Sequence, residues 1–245
     1  MVMISMNSAD YPIVYGPVIS WRLGISLGIN ATPAQGKVCN FNCLYCELGE
    51  SGCENTRREY IPTPTLDGAL KDILRYPAVD HITIAGSGEP TLASNLANII
   101  QIIRSHSRAP IAVFTNGGKL GDAAVSDAVR LADKVLIKLD VSTEMGFNRF
   151  NRPCEKIRFA DVLEDIQTFR AVFSGSFYLQ CMLSRENADE MAGIAEIAKK
   201  LRPDEIQVCS PTRGGNANVL PIREFQKLVV DIFGKKGNVK TPYQL

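Results

Sequence analysis

Three cysteines near one end of the sequence have the spacing that metal chemistry needs. Cys39, Cys43 and Cys46 follow a Cys-x3-Cys-x2-Cys pattern. Thiolates are soft ligands that select iron–sulfur clusters, zinc or copper(I). A four-iron cluster normally takes four cysteines, so three would leave one iron open to another ligand. The motif therefore predicts a metal centre with an open coordination position, where chemistry can occur.

Two other interpretations of these cysteines remain open. Structural zinc usually takes four Cys or His ligands in two spaced pairs. The sequence has no second Cys-x2-Cys pair, and His81 and His106 stand apart from other ligand types. A ferredoxin-like electron carrier would use Cys53 as its fourth ligand, but the plant-type pattern, Cys-x4-Cys-x2-Cys, is one residue longer. These comparisons favour an open catalytic site.

Composition limits the class of protein. The chain has 245 residues, 45% of them hydrophobic, which suits one large α/β domain. Its 27 basic and 26 acidic residues give a net charge of +1, so no strong field attracts nucleic acid. No apolar run approaches the roughly 18 residues that cross a bilayer, and we see no signal-peptide pattern. We therefore expect no membrane partner and a cytoplasmic location.

Strand and helix patterns alternate along the chain. Repeated alternation of this kind implies parallel strands joined by right-handed crossovers. We expect Asn95 and Asn187 to cap helices and Pro221 to begin one. The predicted strands cover 23–30, 81–85, 111–115, 134–140, 177–183 and 206–210, and the predicted helical segments cover 65–76, 96–103, 122–132, 159–169, 191–201 and 222–232. These make about six βα units in a single domain with a core of about 22–233, and we expect 1–21 and 234–245 to be peripheral.

The motifs share a position in this pattern. The cysteines follow the first predicted strand, and Gly86-Ser87-Gly88-Glu89-Pro90 follows the second. Thr115-Asn116-Gly117 follows the third, and Asp140 closes the fourth. Active sites of parallel α/β barrels gather at the C-terminal ends of the strands. Four separate pieces of the chain are therefore predicted to meet on one face.

The cysteine motif, with Tyr45 before its last cysteine, resembles the signature of the radical S-adenosylmethionine (SAM) superfamily. The 86–90 segment resembles that superfamily's second motif, usually Gly-Gly-Glu-Pro, and the resemblance covers about residues 22–210. More narrowly, Gly16-Pro17, Arg22-Leu23-Gly24 and Asn151-Arg152-Pro153 resemble a subgroup described as similar to wyosine synthases, which modify tRNA.

This resemblance implies an α/β fold that forms a partial (β/α)6 TIM-like barrel. It implies a 4Fe–4S cluster held by the three cysteines, with SAM chelating the open iron. An electron donor such as flavodoxin or ferredoxin would reduce the cluster, and a 5′-deoxyadenosyl radical would abstract hydrogen from a substrate. The protein's share of such chemistry is binding, orientation and shielding.

The resemblance also implies roles for residues. Tyr45 would lie against the adenine, and carbonyls of the 86–90 segment or Glu89 would bind the methionyl amino group. Lys138 and Asp140 would meet ribose hydroxyls or the carboxylate, although a purely structural pair is an alternative. The implied cofactor-binding residues are Tyr45, Gly86, Ser87, Gly88, Glu89, Thr115, Asn116, Lys138, Asp140 and Gln180. Without a ligand role, the 115–117 segment would be an ordinary turn.

Other reactive side chains give weaker signals. Single cysteines are more often small buried hydrophobes than ligands, and we expect the remaining cysteines, Cys53, Cys154, Cys181 and Cys209, to be thiols of this kind in a reducing compartment. Three arginines, Arg149, Arg152 and Arg213, could bind an anionic substrate or be solvated loop residues.

Three functions follow for testing. The first is a radical SAM enzyme acting on a small molecule or a peptide. The second is a radical enzyme that modifies tRNA, although no cysteine precedes Cys39 to hold the second cluster of archaeal wyosine synthases. The third is a non-enzymatic iron–sulfur or zinc protein. The sequence predicts neither the substrate nor residues that act on it.

Overall fold

The computed structural model describes residues 12–73, 79–211, 215, 217–234 and 237–243. These residues form one mixed sheet of eight strands, arranged in chain order, with helices between them. The strands are β1 Val14–Ser20, β2 Gly24–Asn30, β3 His81–Ala85, β4 Ile111–Thr115, β5 Lys134–Lys138, β6 Ser176–Met182, β7 Glu205–Cys209 and β8 Val239–Lys240. The helices are α1 Thr63–Ile73, α2 Leu96–His106, α3 Ala123–Val129, α4 Glu144–Gly146, α5 Phe159–Val172, α6 Met191–Leu201 and α7 Ile222–Phe233.

Strands β2 to β7 are the six predicted strands. Each pairs in parallel with the next, and the sheet curls into a half-barrel. The fold prediction is therefore confirmed. The 1–21 and 234–245 segments, expected to be peripheral, each add a strand at one edge, because β1 pairs antiparallel with β2 and β8 pairs parallel with β7.

The two faces of the sheet differ in polarity, because successive strand residues point to opposite sides. On the outer face, Ile84, Val113 and Ile137 are fully buried in the main hydrophobic cluster with the helices. The inner face carries polar residues at alternate positions, among them Thr83 and Gln180. Burial of the outer face stabilises the fold, and the inner face is left for ligands.

The two predicted asparagine caps are wrong. Asn95 stands before α2 but makes no capping bond, and its Nδ2 donates to the Ile61 carbonyl at 2.9 Å. Asn187 does not cap α6. It lies in a 3-10 turn, Arg185–Glu190, and its Oδ1 accepts from the Ser184 backbone N–H at 2.8 Å. Residues 74–76 of the predicted 65–76 helix lie outside the described residues. None of the described helices is both long and apolar enough to cross a membrane.

Candidate cluster and cofactor site

The cysteine loop, residues 39–46, is held by a turn over residues 147–154. That turn contains a π-helical segment, Phe147–Asn151. Backbone hydrogen bonds join the two pieces, from Leu44 N to the Phe150 carbonyl at 2.8 Å and from Cys154 N to the Asn40 carbonyl at 2.9 Å. The predicted Asn151-Arg152-Pro153 motif is thus a support for the cysteine loop.

The three cysteines of the loop are free, half-buried thiols. Asn116 Nδ2 donates to Cys39 Sγ at 3.7 Å, and Asn151 Nδ2 donates to Cys43 Sγ at 3.6 Å. Such donors stabilise negative charge on sulfur, and hydrogen bonds to sulfur tune iron–sulfur centres.

Burial raises the pKa of Cys39 to about 12 and that of Cys43 to about 11. Both thiols are therefore protonated at neutral pH until a metal displaces the protons. The amide Nδ2 of Asn40, within the same loop, is buried without a hydrogen-bond partner. The three cysteine sulfurs are soft ligands, and the Asn40 amide is a donor that could bond to a cluster sulfur, so these residues fit an iron–sulfur cluster. Among the described residues, no three His, Cys, Asp or Glu side chains converge on a single metal ion.

The glycine-rich loop after β3 packs against the residue that precedes the first cysteine. Val38 N donates to the Ser87 carbonyl at 2.9 Å, and Glu89 N donates to the Val38 carbonyl at 2.8 Å. A Cβ on Gly88 would lie 1.6 Å from the Val38 carbonyl oxygen. Gly86 has φ +128° and faces Asn30, where a Cβ would lie 2.3 Å from Oδ1. Both glycines thus permit close approaches within the protein.

Glu89 links the glycine-rich loop to the end of β4. Its carboxylate accepts from Thr115 Oγ1 at 2.6 Å, from Asn116 N at 2.8 Å, and from both the backbone N and the hydroxyl of Thr91. Burial raises the pKa of Glu89. Four protein donors occupy this carboxylate, so its evident role is to fix the two loops together.

Asp140 is a second buried centre of hydrogen bonds. It accepts from Tyr45 Oη at 2.6 Å, Asn151 Nδ2 at 2.9 Å and Met182 N at 2.7 Å. Lys138 Nζ lies 3.2 Å from Asp140 Oδ1 and 4.8 Å from the centre of the Tyr45 ring. Burial, followed by the Asp140 charge, raises the pKa of Tyr45 well above its usual range. Lys138 and Asp140 therefore form an ion pair, and a ligand role for either residue stays a prediction.

Three of the ten implied cofactor-binding residues meet at one cavity. Asn116, Lys138 and Asp140 line a small cavity together with Asn151 and apolar side chains that include Phe41. Gln180 pairs in register with Lys138 on the inner face, and its Nε2 donates to Gln207 Oε1 at 3.4 Å. Gln180 is therefore a lining residue of the inner face.

The remaining cysteines correct one expectation. Cys53 and Cys154 form a disulfide with their Cα atoms 5.6 Å apart, whereas we expected thiols. Proximity across 101 residues of sequence cannot be inferred from local pattern. This pairing also removes Cys53 from the role of fourth ligand in the electron-carrier interpretation. Cys181 and Cys209 are buried free thiols, as expected.

The arginines proposed for anion binding are engaged elsewhere or lie outside the described residues. Arg149 pairs with Asp189 at 3.3 Å, and Arg152 pairs with Glu50 at 2.7 Å. Arg213 lies outside the described residues.

Sequence reasoning missed the individual roles of two asparagines. Asn30 Oδ1 accepts from the Ser87 backbone N–H at 3.1 Å and so holds the glycine-rich loop, and Asn151 connects Asp140 with Cys43. The available signal was an asparagine at the end of a strand and an asparagine before Arg-Pro, each of which also occurs in ordinary turns.

Comparison with known proteins defines the class. A sequence profile of the radical SAM superfamily matches residues 36–198. The chain therefore belongs to the radical SAM superfamily, and it is an enzyme of the kind that uses SAM and an iron–sulfur cluster.

Relatives in sequence narrow the comparison. The chain is 39% identical over 243 residues to the UPF0026 protein slr1464 of Synechocystis, a match that covers 97% of this chain and 85% of that protein. It is 26% identical over 178 residues to a probable GTP 3′,8-cyclase of Metallosphaera sedula, covering 70% of this chain and 52% of that protein.

Solved structures support the fold alone, because their sequence identities are low. SuiB of Streptococcus suis bound to its precursor peptide SuiA matches with a TM-score of 0.65 and 12% identity, covering 88% of this chain and 48% of SuiB. The anSMEcpe protein with bound SAM matches with a TM-score of 0.65 and 18% identity, covering 84% of this chain and 59% of that protein. Archaeal TYW1 matches with a TM-score of 0.58 and 15% identity, covering 84% of this chain and 72% of TYW1. The chain spans about half the length of SuiB.

Proposed function

We propose that Cys39, Cys43 and Cys46 hold a 4Fe–4S cluster and that SAM occupies the iron they leave open. When bound and reduced, this pair of groups supplies reductive cleavage of SAM to methionine and a 5′-deoxyadenosyl radical that abstracts hydrogen from a substrate. The observation that carries the proposal is the set of three free thiols in one supported loop, with the loop ends of β3, β4 and β5 packed around it.

The chain's own residues orient these groups. The Glu89 side chain is filled by protein donors, so we assign the hydrogen bonds to the methionyl ammonium to backbone carbonyls of the 86–88 loop. Charge-assisted bonds of this kind are roughly twice as strong as neutral ones. Thr115 and Asn116, held by Glu89, would border the methionyl group.

Asp140 and its partners would form the nucleoside side of the site. Asp140 fixes Tyr45 and Asn151, and Asn151 in turn reaches Cys43. Lys138 lies between Asp140 and the Tyr45 ring, where its ammonium could meet the SAM carboxylate or a ribose hydroxyl. Gln180 continues the same layer toward the inner face.

The substrate would bind on the polar inner face of the half-barrel. We propose a small molecule or a peptide, and an electron donor such as flavodoxin or ferredoxin. SuiB and a related peptide complex of anSMEcpe support a peptide by fold, and the GTP 3′,8-cyclase relative supports a small molecule by sequence. No contact in the described residues favours tRNA.

Anaerobic reconstitution tests the proposal. The chain is loaded with iron and sulfide, reduced with dithionite and mixed with SAM, and 5′-deoxyadenosine and methionine are measured by mass spectrometry. We expect both products from the wild type, about four irons per chain, and neither products nor cluster from Cys43→Ala. Cys181→Ala, at a buried thiol outside the motif, is the matched control and should keep both. An iron-loaded wild type that leaves SAM intact would refute the proposal.

A further inference from the structure

The Arg22-Leu23-Gly24 motif is built into the half-barrel. It forms the turn between β1 and β2, in which Ser20 Oγ accepts from Arg22 N at 3.1 Å. His81 Nδ1 lies 2.8 Å from the Leu23 carbonyl, and the buried Leu23 side chain clusters with Ala112 and Leu136 of the inner face. The turn therefore places the Arg22 side chain at the inner face of the sheet.

The Arg22 guanidinium lacks a carboxylate partner. Its Nη2 lies 3.5 Å from Cys209 Sγ at the end of β7, and its carbon lies 5.0 Å from the centre of the Trp21 ring. Its Nε is buried and has no hydrogen-bond partner. No ion pair to Arg22 exists among the described residues, whereas Arg149 and Arg152 each have one. A charge without a partner is costly when it is partly buried, so an anion bound by the Nη groups would stabilise this side chain.

A second cation lies on the inner face. Lys134 lies at the start of β5. Its ammonium donates to the Tyr178 hydroxyl at 3.4 Å and lies 5.4 Å from the centre of the Tyr178 ring. Two acidic groups on the described part of this face are already paired. Asp140 is paired with Lys138, and Glu205 is paired with Lys240 at 2.6 Å. Among the described residues, Arg22 and Lys134 therefore remain as cations of this face for which no ion pair is seen.

We infer that Arg22 binds an anionic group of the substrate, a carboxylate or a phosphate, inside the half-barrel. The planar guanidinium matches both groups in two-pronged geometry. Stacking on Trp21 and the contact between Nη2 and Cys209 Sγ hold the guanidinium in place, and its remaining Nη hydrogens are the donors that we assign to the anion. This inference rests on the proposed function in one respect, that the substrate occupies the inner face. It names the chemical group by which that substrate would be selected.

Trp21 supplies the test, because it is the single tryptophan of the chain and lies beside Arg22. Reconstituted protein is titrated with inorganic phosphate and, separately, with acetate at constant ionic strength, and Trp21 emission is recorded. We expect a saturable change with at least one anion, and at least tenfold weaker binding in Arg22→Gln. Arg223→Gln, an exposed arginine of α7, is the matched control and should bind like the wild type.

The choice of anion identifies the source, since saturation by phosphate alone points to a phosphorylated substrate and saturation by acetate alone to a carboxylic acid. No saturable change with either anion overturns the inference, as does equal affinity in Arg22→Gln. If that variant does not fold, Arg22→Lys replaces it, and unchanged affinity there overturns the two-pronged assignment. The titration needs no SAM cleavage, so failure here and failure of the proposed function are distinguished.

Discussion

The cofactor region and the Arg22 region of the half-barrel differ in how their polar groups are satisfied. Around the cysteine loop, Glu89 and Asp140 are each saturated by several protein donors. At the β1–β2 turn, the Nε of Arg22 is buried without an acceptor. The first region has exceptions, since Asn40 Nδ2 in the cysteine loop and Thr32 Oγ1 beside Asn30 are buried without a hydrogen-bond partner among the described residues.

This difference in hydrogen bonding matches two different tasks, binding a cofactor and selecting a substrate. A cofactor that is always the same is served by a site whose side chains are fixed in advance, because ordering them at the moment of binding would reduce affinity. A substrate site needs groups that remain to be satisfied, since these discriminate between ligands that satisfy them and ligands that do not. The next predictions test how strongly the cofactor region is fixed, beginning with the largest expected effect.

Gly88→Ala should damage the cofactor region most. The new Cβ would lie 1.6 Å from the Val38 carbonyl oxygen, so the pairing between the glycine-rich loop and the cysteine loop must break. We expect a loss above about 4 kcal/mol in the free energy of unfolding, measured with urea, or no folding at all. Gly52→Ala, with no heavy atom within 4 Å of its Cβ, is the control. Equal urea midpoints for the two variants would show that this loop pairing is dispensable.

The Cys53–Cys154 disulfide should contribute less to the free energy of unfolding than Gly88→Ala removes, and it should contribute only in oxidised protein. It joins the 147–154 turn to the segment that follows the cysteine loop across 101 residues. Disulfides typically contribute about 2–4 kcal/mol to the free energy of unfolding. Metal-free wild type should therefore lose about that much stability when a thiol reductant is added, whereas Cys154→Ala should respond little. Cys181→Ala should retain the response of the wild type. A wild type equally stable in both conditions would remove the disulfide from the description of this region.

Glu89→Gln should have a smaller effect, because it keeps the shape of the side chain. One carboxylate oxygen becomes an NH2 group, so either the Asn116 or the Thr91 backbone N–H loses its acceptor. The expected loss is about 2 kcal/mol in urea unfolding. Glu155→Gln, at an exposed position, should change stability by less than about 0.5 kcal/mol. A neutral Glu89→Gln would mean that the buried carboxylate is not what joins the two loops.

The sequence predicted the fold because the relevant signal is local. The β-branched run of 81–85 and the helical spacing around 96–103 each follow from neighbouring residues, and β3 has the predicted bounds. Strand β1 was not predicted, because Gly16-Pro17 interrupts its pattern of alternation. The meeting of the cysteine motif, the glycine-rich loop and Asp140 could also be predicted, since parallel strands bring their C-terminal ends to one edge.

Contacts between distant loops could not be predicted in this way. Asn151 reaches Cys43 across 108 residues through a π-helical turn that has no periodic signature. The pairing of Cys53 with Cys154 and the direction of Arg22 depend likewise on how the sheet curls. Such contacts are set by tertiary packing, whereas periodicity reports only which face of an element is buried.

Tyr45→Phe should give the smallest effect in the cofactor region. The change removes the hydroxyl that donates to Asp140 at 2.6 Å, while Asp140 keeps Lys138, Asn151 and Met182 N as partners. The ring remains, so its contact with the Lys138 ammonium remains. We expect a loss of about 1 kcal/mol in urea unfolding and an unchanged iron content after reconstitution.

Tyr60→Phe is the matched control for Tyr45→Phe, because it removes a second buried tyrosine hydroxyl. The Tyr60 hydroxyl is buried beside the Arg58 guanidinium and makes no hydrogen bond of good geometry with the described residues, so its removal should change stability little. The difference between the two variants isolates the bond to Asp140 from the general effect of deleting a buried hydroxyl. If the two variants change stability alike, the Tyr45–Asp140 bond adds nothing to the fixed geometry of the cofactor region. If only Tyr45→Phe loses stability, that region is held by its hydrogen bonds even at a position where three partners remain.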